Sequence, residues 1–409
     1  MAAGAYTNIV QALGLGIVYI ALAVLLVFLT IVIATLFVEI LAAGRNRKRT
    51  SDAEPRSAWP RVAVLVPAHN ESIGLIPTLA DAQSQLRPTD RLLVVADNCD
   101  DDTAEVARTQ GAEVFERRDP ERRGKGYALS AGVAHLSAHP PDIVVIVDAD
   151  CRISPGAIEQ LAATCAAHGR ATQSSYLMSA PTNSALNYNV AEFAWRVKNF
   201  VRPLGLLAFG LPCQLTGSGM AFPWLTIISA KLATGNIVED MALGVELAIR
   251  GEPALFCPQA TLTSTFPVSK KSIETQRRRW EQGHFQTIVA SAGPLLLRGA
   301  ANRSFAQIAL ALDLAVPPLS ALTLTTLASV ALCYALLLLG LSAAPLYVAA
   351  ADALILIWAV ALAWLEYGQD VLPLSALPKI APYLIDKVRV YQSILRAKGP
   401  AHWTPTDRN

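Results

Sequence analysis

The composition of this 409-residue chain is that of a membrane-associated protein. Apolar residues make up 53% of it, charged residues only 16%, and the mean hydropathy is +0.38, which is too apolar for an ordinary soluble enzyme. A net charge of +2 argues against a nucleic-acid partner, and six cysteines without metal-ligand spacing predict unpaired thiols rather than a disulfide framework.

The chain begins with a long uncharged segment. Met1–Val38 has no charged side chain, and its densest part, Leu13–Val38, exceeds the roughly 20 residues that a spanning helix needs. It is too long for a cleaved signal peptide and has no basic start, so we expect a retained anchor. The basic run Arg45–Arg49 then predicts an outside N-terminus and a cytosolic domain after it.

Two further apolar blocks lie downstream, at Phe305–Leu341 and Leu346–Leu365. Pro317-Pro318 interrupts the first of them. We therefore predict an interfacial or re-entrant approach over Ser304–Val316 and a span over Leu319–Leu341. Three spans in total would place the basic C-terminal tail in the cytosol.

Polar residues accompany these apolar segments in two ways. Asp313 and Asp352 lie in or beside the blocks, where an ionisable group is a functional candidate, with simple pairing as the alternative. Val190–Leu207 and Lys379–Leu395 mix apolar and basic residues, which predicts helices lying on the membrane surface. Core helices are the alternative for these two stretches.

Between the first and second apolar segments, the sequence changes to that of an α/β domain. Arg61–Val66, Arg91–Ala96 and Asp142–Val147 are short apolar runs, with helix-compatible stretches such as Thr103–Thr109 and Tyr127–Leu136 between them. Such alternation predicts a parallel sheet buried on both faces. Ligands of these sheets bind beyond the carboxyl ends of the strands.

Each predicted strand ends in a polar cluster, and the first of these is Pro67–Glu71. Asp148 and Asp150 follow the third strand and suit a divalent cation bound through hard oxygen ligands, such as Mg²⁺ or Mn²⁺, which implies a diphosphate donor. Turn or capping aspartates are the alternative. Asp97-Asn98 could bind a base or ribose, or cap the helix near Thr103.

Two glycine-containing motifs suggest close approach of the backbone to a ligand. Arg123–Tyr127 places Lys125 between glycines just before a helix, which suits a phosphate, although neither the P-loop nor the dinucleotide-binding spacing is present. Gly217–Gly219 allows the backbone to approach a ligand or forms a tight turn between strands.

Two charged motifs complete the set. Glu239-Asp240 either stabilises the first turn of a helix or supplies a general base that deprotonates an acceptor hydroxyl. Gln276–Trp280 either forms an exposed basic turn or combines an arginine clamp for a leaving diphosphate with a stacking tryptophan.

The order of these motifs resembles that of the inverting family-two glycosyltransferases with a GT-A fold. It is similar in particular to the membrane-integrated synthases of cellulose, chitin, hyaluronan and poly-N-acetylglucosamine. The family's T-E-D has Val238 in its first position here, and three spans are closer to chitooligosaccharide synthases than to channel-forming synthases. The matching segments are Val62–Ser72, Val94–Ala107, Val147–Asp150, Gly217–Phe222, Val238–Asp240 and Gln276–Trp280.

The resemblance implies a role for each matching residue. Asp150 would ligate Mg²⁺ or Mn²⁺, and Asp240 would be the catalytic base. The residues expected to hold a UDP-sugar are Pro67, Ala68, Glu71, Asp97, Lys125 and Asp148. The residues expected to face the acceptor or the pyrophosphate are Gly217, Ser218, Gly219, Glu239, Gln276, Arg279 and Trp280.

The implied protein is an α/β GT-A glycosyltransferase at the cytosolic face of a bacterial inner membrane. Its expected partners are the UDP-sugar, a glycan or lipid acceptor, membrane lipids and, as an open alternative, other envelope-polysaccharide proteins. Polymer synthesis and addition of one sugar to polyprenyl phosphate or diacylglycerol both stay open, whereas an inactive scaffold should have lost an aspartate. The expected divisions are an anchor (1–44), a basic linker (45–58), the GT-A domain (59–300), C-terminal spans (301–368) and an amphipathic tail (369–409).

Overall fold

A computed structural model describes residues 2–46, 59–181, 186–233, 238–267 and 270–396 of the protein. Most of the predicted basic linker, from residue 47 to 58, lies outside the described residues. The strands are β1 (Val62–Ala68), β2 (Arg91–Asp97), β3 (Glu113–Arg117), β4 (Ile143–Ile146), β5 (Arg152–Ile153), β6 (Thr172–Ser179), β7 (Met220–Pro223) and β8 (Leu255–Thr265).

Helices precede, connect and follow these strands. They are α1 (Ala2–Asn46), α2 (Ile76–Gln83), α3 (Thr103–Thr109), α4 (Lys125–Leu136), α5 (Ala157–His168), α6 (Leu186–Arg196), α7 (Arg202–Ala208), α8 (Trp224–Ile228), α9 (Glu239–Ile249), α10 (Lys270–Thr287), α11 (Gly293–Ala301), α12 (Phe305–Ala315), α13 (Leu319–Leu338), α14 (Ala344–Tyr367) and α15 (Ile380–Arg396). Short 3₁₀ or π-helical segments lie at Ser72–Leu75, Val197–Val201, Ile288–Ala292 and Leu374–Lys379.

The strands form one sheet in the order β3-β2-β1-β4-β7-β6-β8-β5. The three strands predicted from the sequence are β1, β2 and β4, and they pair in parallel as expected. Beyond β4 the sheet is mixed, because β7 runs antiparallel to both β4 and β6. The parallel sheet predicted from β1, β2 and β4 is therefore confirmed, and the complete sheet is mixed because β7 follows the Gly217–Gly219 turn and returns directly alongside β4.

Both faces of the central strands are buried, as their continuous apolar sequences predict. On one face, Val64 packs in a cluster with Ile158 of α5. On the other, Leu65 packs with Leu129 of α4. Gly132 lets α4 lie close to the sheet, since a Cβ there would stand 2.5 Å from the Leu65 side chain. The carboxyl ends of the parallel strands are thereby held at one edge, and the six cysteines are buried free thiols, as expected.

Three helices among the described residues are long and apolar enough to cross a membrane. They are Gly16–Arg45 within α1, Leu319–Leu338 and Ala344–Tyr367. This agrees with one predicted span before the domain and two after it. The predicted approach segment is α12, Phe305–Ala315, which is too short to span and packs against α11.

The segment Val190–Leu207 is part of the core rather than a surface helix. Arg202–Leu206 of α7 are buried, and a Cβ at Gly205 would stand 1.9 Å from the backbone oxygen of Glu39 in α1. The burial of α7 favours the alternative of a core helix for this part of the stretch. Arg202 of α7 faces inward because it forms ion pairs there with Glu39 and Asp313.

The two aspartates associated with the apolar blocks are both paired. Asp313 of α12 accepts a hydrogen bond from Arg202 at 2.5 Å. Asp352 of α14 accepts from the hydroxyl of Thr30 in α1 at 3.0 Å. Both aspartates therefore fit the alternative interpretation, in which they pair with neighbouring polar side chains.

Candidate active site

The ends of β1 and β2 form one wall of the candidate site. Asn70 and Asn98 follow these strands with φ values of 54° and 52°, a left-handed conformation that asparagine tolerates better than most residues. His69 Nδ1 lies 2.7 Å from the backbone oxygen of Asp97 and so ties the two strand ends together. These turns direct the chain away from the sheet and leave Asp97 at its edge.

Asp97 is held by a cation that the sequence analysis missed. Arg117, at the end of β3, donates to Asp97 Oδ1 at 2.5 Å and to Asp119 at 2.9 Å. Asn98 also donates to Asp97 Oδ1, at 3.1 Å. Asp97 does not cap α3, since the oxygen that accepts from Thr103 N belongs to another aspartate. In the sequence, the only feature that could have pointed to this role of Arg117 is its position at the end of β3, the strand beside β2.

Asp148 and Asp150 lie directly after β4 and are oriented by neighbouring hydroxyl groups. Asp148 N donates to Ser218 Oγ at 3.0 Å, which joins the D-x-D segment to the glycine turn. Ser264 Oγ donates to Asp150 Oδ2 at 2.5 Å from the adjacent strand β8. Both carboxylates are partly exposed.

The D-x-D segment can hold a divalent cation. One ligand atom each from Asp148, Asp150 and Cys151 lie within 4.8 Å of one another. Burial raises the pKa of the Cys151 thiol well above its usual range, and its sulfur lies 3.2 Å from Ser218 Oγ. The two carboxylates therefore suit Mg²⁺ or Mn²⁺, whereas the protonated thiol does not.

Lys125 is the first residue of α4 and extends into the same site. Gly124 precedes it with φ 129°, a conformation that few residues other than glycine adopt. Lys125 Nζ forms an ion pair with Asp148 and donates to the backbone oxygen of Gly217 at 2.6 Å. The side chain thus links the start of α4, the D-x-D segment and the glycine turn.

The carboxylate of Asp240 lies close to the same glycine as Lys125. Gly217 has φ 95°, and a Cβ added there would stand 3.2 Å from Asp240 Oδ2 and 3.7 Å from Lys125 Nζ. Glu239 and Asp240 occupy the first turn of α9, where the helix dipole favours carboxylates. Asp148, Lys125 and Asp240, which are far apart in the sequence, therefore converge around one glycine.

This convergence changes the proton affinities of the site. Burial raises the pKa of Glu239 to about 7 and also raises that of Asp240. Burial acts to lower the pKa of Lys125, but the neighbouring carboxylates outweigh it and raise that pKa above its ordinary value. Lys125 is therefore a fixed cation, and Asp240 is a stronger base than an exposed aspartate.

Helix α10, which carries the predicted Q-x-x-R-W element, packs against Val238, two residues before Asp240. Gly283 allows close contact, since a Cβ there would lie 2.6 Å from the side chain of Val238. The Trp280 ring packs 4.9 Å from that of Trp195 and lines a cavity. Arg279 is partly exposed in the same helix, and the side chain of Gln276 lies outside the described residues.

The remaining predicted residues lie along the strand edge. Pro67 and Ala68 form the end of β1, and Ala68 is buried. Glu71 N donates to Thr103 Oγ1 at 2.9 Å, and its carboxylate lies against Gly74. Ser218 is buried within the turn, and Gly219 permits contact with Ser174.

Comparison with known proteins agrees with this arrangement. A family model described as "Glycosyltransferase like family 2" matches residues 60–283, more than half of the chain. The chain belongs to this family. The glycosyltransferase thus combines a GT-A-like mixed-sheet domain with apolar helices on both sides of it.

Over the aligned part of the chain, curated relatives are about a quarter identical to the glycosyltransferase. Glucomannan 4-beta-mannosyltransferase 7 of Arabidopsis thaliana is 26% identical in an alignment of 271 residues that covers 60% of this chain and 46% of the relative. The 4,4'-diaponeurosporenoate glycosyltransferase of Staphylococcus haemolyticus is 26% identical in an alignment of 196 residues that covers 45% of this chain and 50% of that protein. The chain therefore spans about half the length of these relatives.

Solved structures similar to the glycosyltransferase contain manganese and nucleotide sugars. A mannosyltransferase from Pyrobaculum calidifontis, in complex with GDP-Man and Mn²⁺, is 20% identical with a TM-score of 0.48 and covers 85% of this chain and 99% of its own. Glucosyl-3-phosphoglycerate synthase from Mycobacterium tuberculosis, in complex with Mn²⁺, UDP-glucose and phosphoglyceric acid, is 22% identical with a TM-score of 0.34 and covers 50% of this chain and 75% of its own.

Proposed function

We propose that the protein transfers a sugar from a UDP-sugar to a hydroxyl group of an acceptor at the cytosolic membrane surface, with inversion at the anomeric carbon. The observation that carries this proposal is the convergence of Asp148, Lys125 and Asp240 around Gly217. The carboxylate of Asp148 belongs to a group that could hold a metal ion, Lys125 supplies a cation, and the pKa of the Asp240 carboxyl group is raised.

Recognition of the donor is assigned to the strand ends. Asp97 offers a carboxylate acceptor and Arg117 offers guanidinium donors beside it, which suits the edge of uracil, where one N–H lies between two carbonyl groups. Lys125, at the start of α4, is placed to approach the phosphates. A divalent cation held by Asp148 and Asp150 would offset the negative charge of the diphosphate.

The proposed transfer is a single displacement. Asp240 accepts the proton of the acceptor hydroxyl, and the hydroxyl oxygen forms a bond to the anomeric carbon. The bond between that carbon and the diphosphate oxygen breaks on the opposite face, and UDP leaves with the electron pair. Arg279 is the side chain proposed to stabilise the leaving diphosphate.

The proposed location is a bacterial inner membrane, with the N-terminus outside and the boundaries of the GT-A domain at 59–300. The acceptor is a glycan or a lipid, and the product belongs to the synthesis of envelope polysaccharides. In the described part of the spans, Leu22 and Leu26 of α1 pack with Cys333 and Ala349 in an apolar cluster. Because this contact suits helix association rather than a sugar channel, export of a polymer would need other proteins.

The test uses the full chain purified in lipid nanodiscs. UDP-glucose, UDP-N-acetylglucosamine, UDP-galactose and GDP-mannose are supplied with Mg²⁺ or Mn²⁺, and release of nucleoside diphosphate is measured. We expect turnover with one UDP-sugar, which Asp240→Asn abolishes without weakening calorimetric binding of UDP. The matched control is Asp386→Asn, which makes the same change at an exposed carboxylate on α15. Full activity of Asp240→Asn would refute the assignment of the base.

A further inference from the structure

Helix α15 packs one of its faces against α10, the helix that carries the predicted Q-x-x-R-W element. Tyr383 and Lys387 are buried on this face, and Tyr391 follows them at the same spacing of four residues. On the opposite face, Ile385 is 60% exposed and the side chain of Arg389 is 78% exposed. The inner face of α15 therefore carries polar groups that need partners within the protein.

The partner of Lys387 is Glu281 of α10, the residue directly after Trp280. The two side chains form an ion pair, and Lys387 and Glu281 are only 5% and 8% exposed. The second carboxylate oxygen of Glu281 is buried without a hydrogen-bond partner among the described residues. Because a buried carboxylate is costly without a paired cation, α10 and α15 are held together by more than apolar contact.

A second polar contact joins α15 to the start of a spanning helix. The hydroxyl oxygen of Tyr391 lies 2.7 Å from Ser320 Oγ, and Ser320 is the second residue of α13. The Tyr391 ring also packs edge-on against Phe285 of α10, with the ring centroids 6.0 Å apart. Helix α15 therefore connects α10 to a helix that is long and apolar enough to cross a membrane.

Close packing is incomplete around the Trp280 end of α10. A cavity of about 120 Å³ is bordered by Trp280 and Glu281 of α10 and by Tyr383 and Lys387 of α15. Side chains that border a cavity lack packing contacts on that side, whereas a filled core leaves helices little freedom to shift. The ion pair between Glu281 and Lys387 therefore supplies a directional contact where close packing is missing.

Helix α10 also contacts the segment that carries the proposed base. A Cβ at Gly283 would stand 2.6 Å from the side chain of Val238, which lies two residues before Asp240. Arg279, proposed to stabilise the leaving diphosphate, lies one turn before Gly283 in the same helix. A misplacement of about 1 Å can reduce the rate of an enzyme about 100-fold. A shift of α10 would therefore affect the proposed base and the leaving-group clamp together.

We propose that Lys387 is a positioning residue for the transfer, and that it holds α10 in register with the active site through Glu281. The inference rests on the proposed function and adds a residue outside the predicted motifs. Because Lys387 forms its ion pair with Glu281, which has no assigned role at the reacting atoms, it acts through α10. Loss of the pair would lower the rate of transfer and leave donor binding at the ends of β1 and β2 largely unchanged.

The experiment uses the full chain in lipid nanodiscs with the UDP-sugar that supports turnover. In Lys387→Met, kcat is expected to fall by about tenfold or more, while the Kd for UDP, measured by calorimetry, changes by less than about twofold. The matched control is Arg389→Met, which replaces an exposed cation on the opposite face of α15 and should leave kcat unchanged. An unchanged kcat in a folded Lys387→Met protein would overturn the inference.

A double variant separates position from stability and decides the question even if Lys387→Met fails to fold. Glu281→Leu combined with Lys387→Met removes both buried charges, and such replacements typically keep or raise stability. An apolar pair lacks the direction of a hydrogen-bonded ion pair, so kcat should stay about tenfold below that of the unsubstituted protein although the melting temperature does not fall. An undiminished kcat in this stable double variant would contradict the positioning role.

A further combination tests whether Lys387 acts through α10. Arg279→Lys keeps the charge but loses the forked geometry of the clamp, so adding Lys387→Met to it should lower kcat by less than about threefold more. A full tenfold loss in that background would mean that Lys387 acts elsewhere, and it would overturn the inference alone. Absence of UDP-sugar turnover in the unsubstituted protein would instead contradict the proposed function.

Discussion

Arg202 of α7 donates from Nε to Oε2 of Glu39 in the first spanning helix at 2.8 Å, and each of the two side chains is 4% exposed. The same guanidinium donates to Asp313 Oδ1 at 2.5 Å, and Gln214 donates to the other oxygen of Asp313 at 2.7 Å. Gln214 lies three residues before Gly217. A buried network therefore connects the anchor to the turn around which the candidate active site is built.

Removal of Arg202 should strongly destabilise the protein. Arg202→Met leaves the carboxylates of Glu39 and Asp313 buried without their cation, which typically costs about 3–5 kcal/mol. Thermal unfolding in detergent measures the effect. Asp386→Asn breaks an exposed pair with Arg389 and should cost less than about 1 kcal/mol. Equal losses in the two variants would contradict the importance of the buried network.

The contact between α1 and α7 depends on a glycine. A Cβ at Gly205 would lie 1.9 Å from the backbone oxygen of Glu39, so Gly205→Ala requires the two helices to separate. We expect a loss of about 1–3 kcal/mol or more in the free energy of unfolding. Gly293→Ala, where a Cβ meets nothing within 4 Å, should have no effect or stabilise by up to about 1 kcal/mol.

The glycine turn of the site should be equally sensitive. Gly219 has φ 66°, and a Cβ there would lie 1.9 Å from Ser174 Oγ. Gly219→Ala therefore adds a clash to backbone strain, whereas Gly210→Ala, at φ 68° with open space, adds only strain of about 1–2 kcal/mol. We expect UDP binding to be lost in the first variant and kept in the second. Ser174→Gly should partly restore binding to Gly219→Ala, as measured by calorimetry.

The pH dependence of transfer should follow Asp240. The base acts only when deprotonated, and burial raises its pKa, so kcat/KM should rise with pH through a value above the usual range for aspartate, which centres near 4. Lys198 lowers the pKa of Asp240, and Lys198→Met should therefore move this rising limb to higher pH. Lys198→Arg keeps the charge and should leave the limb in place; an identical profile in the methionine variant would contradict the electrostatic link.

Local sequence patterns were sufficient to predict the strands and helices that are specified by residues close together in the sequence. The ends of β1, β2 and β4 and the helix Thr103–Thr109 agree with prediction within about two residues, because continuous apolar runs and polar boundaries specify them directly. The three spans followed from length and hydropathy in the same way. The family followed from the order of its motifs, which the match over residues 60–283 confirms.

Local sequence patterns could not predict which residues that are distant in the sequence pair with one another. The antiparallel return of β7 beside β4 and the ion pair between Arg117 and Asp97 depend on sheet order, which periodicity does not encode. Val190–Leu207 has the composition of a surface helix, but α7 is buried because Glu39 and Asp313 neutralise Arg202 inside the protein. The sequence pattern shows that Arg202 would be costly to bury, but it does not show which carboxylates pair with it.

The sequence by itself determined that Asp97, Asp148, Asp150 and Asp240 stand at the boundaries of structural elements, because the change from apolar to polar residues marks those boundaries. Only the tertiary structure decided which of them meet. The positive φ of Gly217 and the long reach of Lys125 bring Asp148 and Asp240 to one point. The cavity beside Trp280 likewise exists only because spans, α10 and α15, distant in sequence, pack at one place.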